Sequence, residues 1–354
     1  MPSMEGLRGL AVLLVFLVHY SSQMEPRVLP GSTTARVSDA LFTIGNTGVD
    51  LFFVLSGYLI FGTLIARRQP FFAFMRRRIV RIYPTYVVVF LLYVGLSVAY
   101  PAESHIPAAP VDAAAFLLLS FCLVPGLILI QPLIAVAWSL SYEMTFYLLL
   151  PLLVTFGSLR RLSWTTRAVV FGVIAIILFA LAQPIGPRMR FVMFIAGIFV
   201  HELLHHRRVE PPPALVVVAA LVLGLLSTAT PWIGPVGGFA GTLVLFFVFG
   251  LLCYTCFAAP GRGVARAFSW TPIRWLGNMS YSYYLIHGLS LKAAFMILNR
   301  FDPPEARGFG YFIALLAPAF LASLLPSAVL FLAVERPFSL AKPSRPLPGG
   351  NASG

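Results

Sequence analysis

Ten stretches of this chain are apolar for long enough to cross a bilayer, near residues 7–23, 42–64, 82–100, 138–157, 168–184, 189–206, 213–230, 238–258, 277–298 and 309–334. Such runs match the thickness of a hydrocarbon core, where each backbone amide must find a partner within its own segment, so they fold as helices. The composition agrees: 59% of residues are hydrophobic, 10% are charged and the mean hydropathy is +0.89, which excludes a soluble globular protein. The expected fold class is therefore all-α, a polytopic membrane protein of about ten transmembrane helices.

An eleventh run, near 113–134, is ambiguous, and the distribution of basic residues decides it. If that run does not cross, 17 Arg and Lys residues fall on the cytosolic side against seven outside, with Arg8 left in the membrane. If it crosses, the tally becomes 11 inside against 13 outside. The positive-inside rule selects the first arrangement. Pro125, Gly126 and Pro132 would break a regular helix there, so the expectation is a re-entrant or interfacial segment, with both chain termini cytosolic. The net charge of +13 reads as this loop bias and not as nucleic-acid binding, since no DNA-reading motif accompanies it. Residues 1–337 are expected to form the membrane domain, and 338–354, rich in Pro and Gly, a disordered cytosolic tail. The first run has no basic n-region and no clear cleavage site, so it is expected to stay as a helix and not to be removed as a signal peptide.

That first run, MEGLRGLAVLLVFLVHY, carries Arg8 and His19. An ionisable residue inside a span is costly and marks a functional site by default. Eleven residues at about 100° each make three turns plus roughly 20°, so the two share one helix face, separated by about 16 Å. The bland alternative is an Arg that snorkels to the interface and a His bonded to a neighbouring helix. With the second helix running inward, Asp50 is expected near the depth of His19, and Glu143, in Trp138-Ser-Leu-Ser-Tyr-Glu143, at a similar level. One His and two carboxylates at one depth suit a general base with an orienting or charge-balancing acid. The alternative makes Asp50 a helix cap and Glu143 a first-turn acid favoured by the helix dipole. Gly45, Gly48 and Gly57 are read as sites of close helix packing, with Ser56 and Gly57 beside a ligand as the other reading.

At the opposite face lies Arg76-Arg-Arg-Ile-Val-Arg81-Ile-Tyr-Pro84. Arg78 and Arg81 are i and i+3 on a helix and project together, a forked pair suited to bidentate phosphate contact. Positive-inside anchoring and lipid headgroup binding explain such a run equally well. Taken with Arg8 below His19, it suggests a phosphate-bearing donor held at the cytosolic face, its reactive end reaching into the membrane. His287 either lines the same cavity or packs as an ordinary buried histidine. His201, His205 and His206, beside Arg207 and Arg208, suit a helix C-terminus or headgroups, and His105 falls in an external loop. Cys122, Cys253 and Cys256 lie in apolar runs, imply no disulfide framework and, in the Cys253–Cys256 spacing, are read as packing. No metal is expected.

The runs Gly6-Leu-Arg8-Gly with His19, Gly48-Val-Asp-Leu-Phe-Phe-Val-Leu-Ser-Gly57, Arg78-Ile-Val-Arg81-Ile-Tyr-Pro84, Trp138-Ser-Leu-Ser-Tyr-Glu143 and Met279-Ser-Tyr-Ser-Tyr-Tyr-Leu-Ile-His287 together resemble the acyltransferase-3 family of bacterial integral-membrane O-acyltransferases. The match runs in the family's order from Glu5 to about Pro337. The resemblance implies a ten-helix domain of the bacterial inner (plasma) membrane. Its donor would be cytosolic acetyl-CoA or another acyl-CoA. Its acceptor would be a hydroxyl, commonly of a sugar in a surface glycan, glycolipid, signalling molecule or antibiotic; the alternative within the same reaction is a hydroxyl of a lipid or small-molecule natural product. It makes Arg8 and His19 the catalytic pair and associates Arg78 and Arg81, with the adjoining Tyr83, with the donor. Glu143 follows as a site residue, with Asp50 added from its expected depth. It also suggests the stand-alone kind, without the extracytoplasmic hydrolase-like domain of some members.

His19 would deprotonate the acceptor for direct attack on the thioester, or would itself be acylated in a two-step route; direct attack is the preferred form. Arg8 either binds the donor or braces the oxyanion, and its depth favours the donor. Two readings from other classes remain: a transporter for an anionic solute, with a cavity lined by Arg8, His19, Asp50 and Glu143, and a receptor that binds an acyl-CoA or lipid without chemistry. The first predicts flux without donor turnover, the second donor binding indifferent to His19.

Overall fold

The computed structural model describes residues 1–340 apart from 129, 182–185, 208 and 230–234. Its helices are α1 (Pro2–Met24), α2 (Thr33–Ala66), α3 (Phe71–Ala99), α4 (Pro110–Phe121), α5 (Trp138–Phe156), α6 (Trp164–Ala180), α7 (Val192–His206), α8 (Ala214–Ala229), α9 (Pro235–Ala258), α10 (Ser280–Phe301) and α11 (Phe309–Leu330). The last runs on into a nine-residue π-helix, Phe331–Ser339, and two short helices, Gly263–Phe268 and Thr271–Asn278, join α9 to α10. Among the described residues β-structure is limited to one isolated bridge, Val28 with Arg307.

Apart from α4, each of these eleven helices coincides with one of the ten apolar runs, and among the described residues six helical stretches are both long and apolar enough to cross a bilayer by themselves. The chain is an all-α polytopic membrane protein. Large apolar side chains such as Leu91, Val98, Ile176, Leu215, Phe247 and Leu325 stand exposed on the outside, the arrangement expected when the solvent is lipid. The ambiguous run contributes only the 12-residue α4, about 18 Å long and too short for a core of about 30 Å. At its end Leu123 takes a positive φ of 58° and one turn of helix, Pro125–Ile128, precedes α5. Tyr83 and Tyr86 of α3 donate to the Phe121 and Ser120 carbonyls at 3.2 and 2.6 Å, which pins the tip of α4. Of the expected tail, Phe338 and Ser339 belong to the π-helix, and 341–354 lie outside the described residues.

Glycine sets the register of the inner helices. A Cβ on Gly45 would sit 2.5 Å from the Leu14 carbonyl oxygen, one on Gly48 2.6 Å from that of Ala11, and one on Gly57 2.0 Å from that of Phe194. The expected role of these three residues is therefore met: α2 lies backbone to backbone against α1 on one side and α7 on the other. This antiparallel register also moves Asp50. It lies opposite about residue 11 of α1, some eight residues or roughly 12 Å inward of His19, and not at the depth of His19. The difference arises because α2 begins at Thr33, capped by Ser32 Oγ on the Ala35 amide at 3.1 Å, nine residues before the apolar run. At 34 residues it is about 51 Å long and extends beyond the hydrocarbon layer.

Candidate active site

Inside the bundle is a cavity of about 870 Å³, measured to include its open mouth, whose polar lining comprises Arg8, Ser56, Arg78, Arg81, Glu143 and Tyr147, with Ser139, Ser280, Tyr281 and Tyr284. Arg8 comes from α1, Ser56 from α2, the other two arginines from α3, Glu143 and Tyr147 from α5, and the remaining two tyrosines from α10. Side chains at i and i+3 share a helix face, which is why Arg78 and Arg81 both reach this space. Tyr83, two residues after Arg81, is turned about 200° around the helix and packs instead against Phe121 and Tyr86. It supports α4 and is not among the lining residues.

The three guanidinium groups are held differently. Arg81 Nη1 donates to Glu335 Oε1 at 2.8 Å. Arg78 lies over the rings of Phe74 and Tyr147, 5.4 and 5.6 Å from their centroids, and its Nε is buried without an acceptor. Arg8 feels the charges of Arg81, Glu143 and Glu335. Among the described residues neither Arg8 nor Arg78 has a carboxylate within ion-pairing distance. Glu143 Oε1 accepts from Ser56 Oγ at 3.0 Å and from the Tyr147 hydroxyl. The carboxylate is thus oriented by two hydroxyls and leaves Arg8 and Arg78 without an ion-pair partner. A low-dielectric space with two unpaired guanidinium groups is built to receive an anion.

His19 is not on this lining. Its ring meets that of His287 edge to face, with centroids 4.7 Å apart. His287 is fully buried. Its Nδ1 lies 2.9 and 3.0 Å from the carbonyls of Tyr283 and Tyr284, so it carries the proton, leaving Nε2 as an acceptor that has no partner. Tyr284 belongs to both regions. It lines the cavity, its ring centroid is 6.2 Å from that of His287, and its hydroxyl is fixed by Ser139 Oγ at 2.6 Å and the Val136 carbonyl at 3.0 Å. The ring of Phe52 packs on it edge to face, centroids 6.1 Å apart.

The expected gathering of His19, Asp50 and Glu143 at one level is therefore replaced by three neighbourhoods. Glu143 is with the arginines. Asp50, only 3% exposed, lies 3.7 Å from Arg190 Nε, and Arg190 in turn covers the Trp138 ring at 5.4 Å. His19 is with His287. Sequence reading did not single out Glu335. A lone acid ending the last apolar run, amid basic neighbours, was the available signal. His201, left without chemistry, stacks on His205 with centroids 4.1 Å apart, and Glu202 beside it holds Arg167 through both oxygens at 2.5 and 2.9 Å. Cys253 and Cys256 are buried in α9.

Comparison with known proteins places this geometry. Residues 1–331 match the family model described as an acyltransferase domain. The chain is 28% identical over 329 residues to the acyltransferase MdmB of Streptomyces mycarofaciens, covering 82% of this chain and 79% of that protein. It is 24% identical over 329 residues to the O-acetyltransferase OatA of Staphylococcus aureus, covering 81% of this chain but 50% of that protein, so it spans about half of OatA's length. The exopolysaccharide production protein ExoZ of Rhizobium meliloti is 28% identical over 270 residues, 71% of this chain and 78% of that protein. No solved structure matches.

Proposed function

Because the chain belongs to the acyltransferase-3 family of membrane O-acyltransferases, we propose that it moves an acyl group, most simply acetyl, from acyl-CoA to a hydroxyl of a carbohydrate-containing acceptor, a surface glycan or glycolipid. The acetyl group and the glycan follow what the names of OatA and ExoZ say of those proteins. The observation that carries the donor is the cavity with three arginines, two of them without a carboxylate partner. Coenzyme A is a polyanion that cannot enter a bilayer, so its phosphates suit Arg8, Arg78 and Arg81 at the cytosolic side of a bacterial inner membrane. The positive-inside bias supports that sidedness.

In the proposed reaction His19 takes the proton of the acceptor hydroxyl as its oxygen attacks the thioester carbonyl. The new C–O bond forms, the C–S bond breaks, and the proton passes to the departing thiolate. Arg8 and His19 share a face of α1 about 16 Å apart, a distance comparable with the reach of a pantetheine arm. Tyr284 stands between the two ends, so the arm passes where its ring now lies. Glu143, anchored by Ser56 and Tyr147, balances charge among the arginines and is not the partner of His19. Asp50 and Arg190 belong on the acceptor side of Phe52 in this scheme.

The test is turnover of radiolabelled acetyl-CoA by the purified protein in liposomes, with and without a glycan and glycolipid extract. Acceptor-dependent transfer lost in His19→Ala, with weakened donor binding in Arg78→Ala, is expected. Transfer that survives His19→Ala removes His19 as the base. Solute flux without turnover of any acyl-CoA turns the reading to a transporter.

A further inference from the structure

Glu335 is the least exposed carboxylate among the described residues, at 0%, and it stands on the π-helix that follows α11. Each of its oxygens has a separate task. Oε2 accepts from both the amide and the hydroxyl of Ser282, at 2.9 and 2.6 Å, in the first turn of α10. Oε1 accepts from Arg81 Nη1 at 2.8 Å. The other face of the same guanidinium is met by the Tyr281 ring, 5.8 Å from its centroid, and Tyr281 is itself tied to α3 by donating to the Ile82 carbonyl at 2.8 Å.

Arg81 has five N–H donors in a fixed fork. Nη1 is taken by Glu335, while the side chain keeps 28% of its surface exposed and is among those lining the cavity. A flexible arginine loses rotamer freedom when it grips a ligand, whereas one clamped beforehand by a carboxylate and a ring has already lost it. A run of i→i+5 bonds is rare and is frequently found at functional sites.

We propose that Glu335 is a positioning residue for the donor: together with Ser282 and Tyr281 it holds Arg81 in the orientation that receives the nucleotide phosphates of acyl-CoA. The proposal rests on the acyl-CoA reading of the cavity. It assigns Glu335 no contact with the reacting atoms. Its effect is therefore confined to donors that carry phosphates.

The experiment uses the full chain, purified and reconstituted, as wild type, Glu335→Gln and Ser282→Ala. It compares acetyl-CoA with acetyl-pantetheine, which has the same thioester arm and no phosphates, and measures coenzyme A binding directly. Glu335→Gln should raise KM for acetyl-CoA and Kd for coenzyme A about tenfold, as expected when one charge-assisted hydrogen bond no longer orders its partner. Its kcat should stay within about twofold and its KM for acetyl-pantetheine should not change. Ser282→Ala should move the same quantities less, in the same direction. Equal losses with both donors, or a lowered melting temperature with unchanged Kd for coenzyme A, would overturn the positioning role and leave Glu335 a structural ion pair. Wild-type protein that binds no coenzyme A would overturn the donor reading and this proposal together. Failure of Glu335 alone is the case in which wild type binds coenzyme A and Glu335→Gln binds it equally well.

Discussion

His19 and His287 meet edge to face at 4.7 Å between ring centroids, and the imidazole paired with the proposed base is one whose only proton is already given to the backbone of its own helix. A neutral ring held in that tautomer can accept but not donate at Nε2, where it has no partner. Replacing His19 by Ala should lower acyl transfer by about 10²- to 10⁴-fold, the usual contribution of a general base, with coenzyme A binding unchanged. Single-turnover transfer and equilibrium binding on the same preparation separate the two.

Arg78 and Arg81 should differ in what they contribute. Among the described residues the contacts of Arg78 are with aromatic rings, so Arg78→Ala removes the proposed donor contacts and little else. The expected result is a KM for acyl-CoA raised about 10- to 100-fold, in line with about 1.5–3 kcal/mol for a hydrogen bond to a charged group, and a melting temperature close to wild type. Steady-state kinetics and thermal unfolding in detergent check it.

Arg81→Ala, by contrast, strands Glu335 in a buried site. Removing one partner of a buried pair costs about 3–5 kcal/mol, discounted here because Arg81 is 28% exposed. The single variant should therefore unfold at lower temperature than Arg78→Ala. Adding Glu335→Gln to Arg81→Ala should recover part of that loss, which a double-mutant cycle on melting measures.

Arg167 and Glu202 form a second buried pair, 2.5 and 2.9 Å between their atoms, and neither lines the cavity. Arg167→Ala should destabilise by about 3–5 kcal/mol while KM for the donor stays unchanged per folded molecule. Chemical unfolding beside kinetics on the folded fraction tests both halves.

Gly57→Ala should be poorly tolerated, since the added methyl would lie 2.0 Å from the Phe194 carbonyl oxygen. Backbone cannot yield as a side-chain end does, so α2 and α7 must part, at a cost of at least about 1–3 kcal/mol. Gly95→Ala, with nothing within 4 Å of the new carbon, is the control and should express normally.

The ten helices were legible because apolar length is a direct statement about bilayer thickness, and the charge count found the eleventh run too short of reasons to cross. Gly45, Gly48 and Gly57 announced close packing for the same local reason. Arg8, Arg78, Arg81 and Glu143 were named from the chain and do share one cavity. Depth was the quantity that failed to transfer. The position of Asp50 depended on where α2 starts, and nine polar-flanked residues from Thr33 onward continued the helix without raising its hydropathy. His287 as the neighbour of His19 needed the parallel pairing of α1 and α10, a contact between residues 268 apart that no local pattern encodes. Glu335 was hidden by a boundary: the apolar run stops one residue before it, and a π-helical turn leaves no signature in a 3.6-residue periodicity.

Tyr284, held by Ser139 and Val136, lines the arginine cavity and has its ring centroid 6.2 Å from that of His287. The proposed reaction carries an acyl group across a bilayer, and a protein that does so must not also conduct protons or salt. In that scheme acyl passage and ionic insulation both fall to this one side chain. Shortening that side chain would turn a transferase into a leak, visible as current across a planar bilayer before any change in chemistry is assayed.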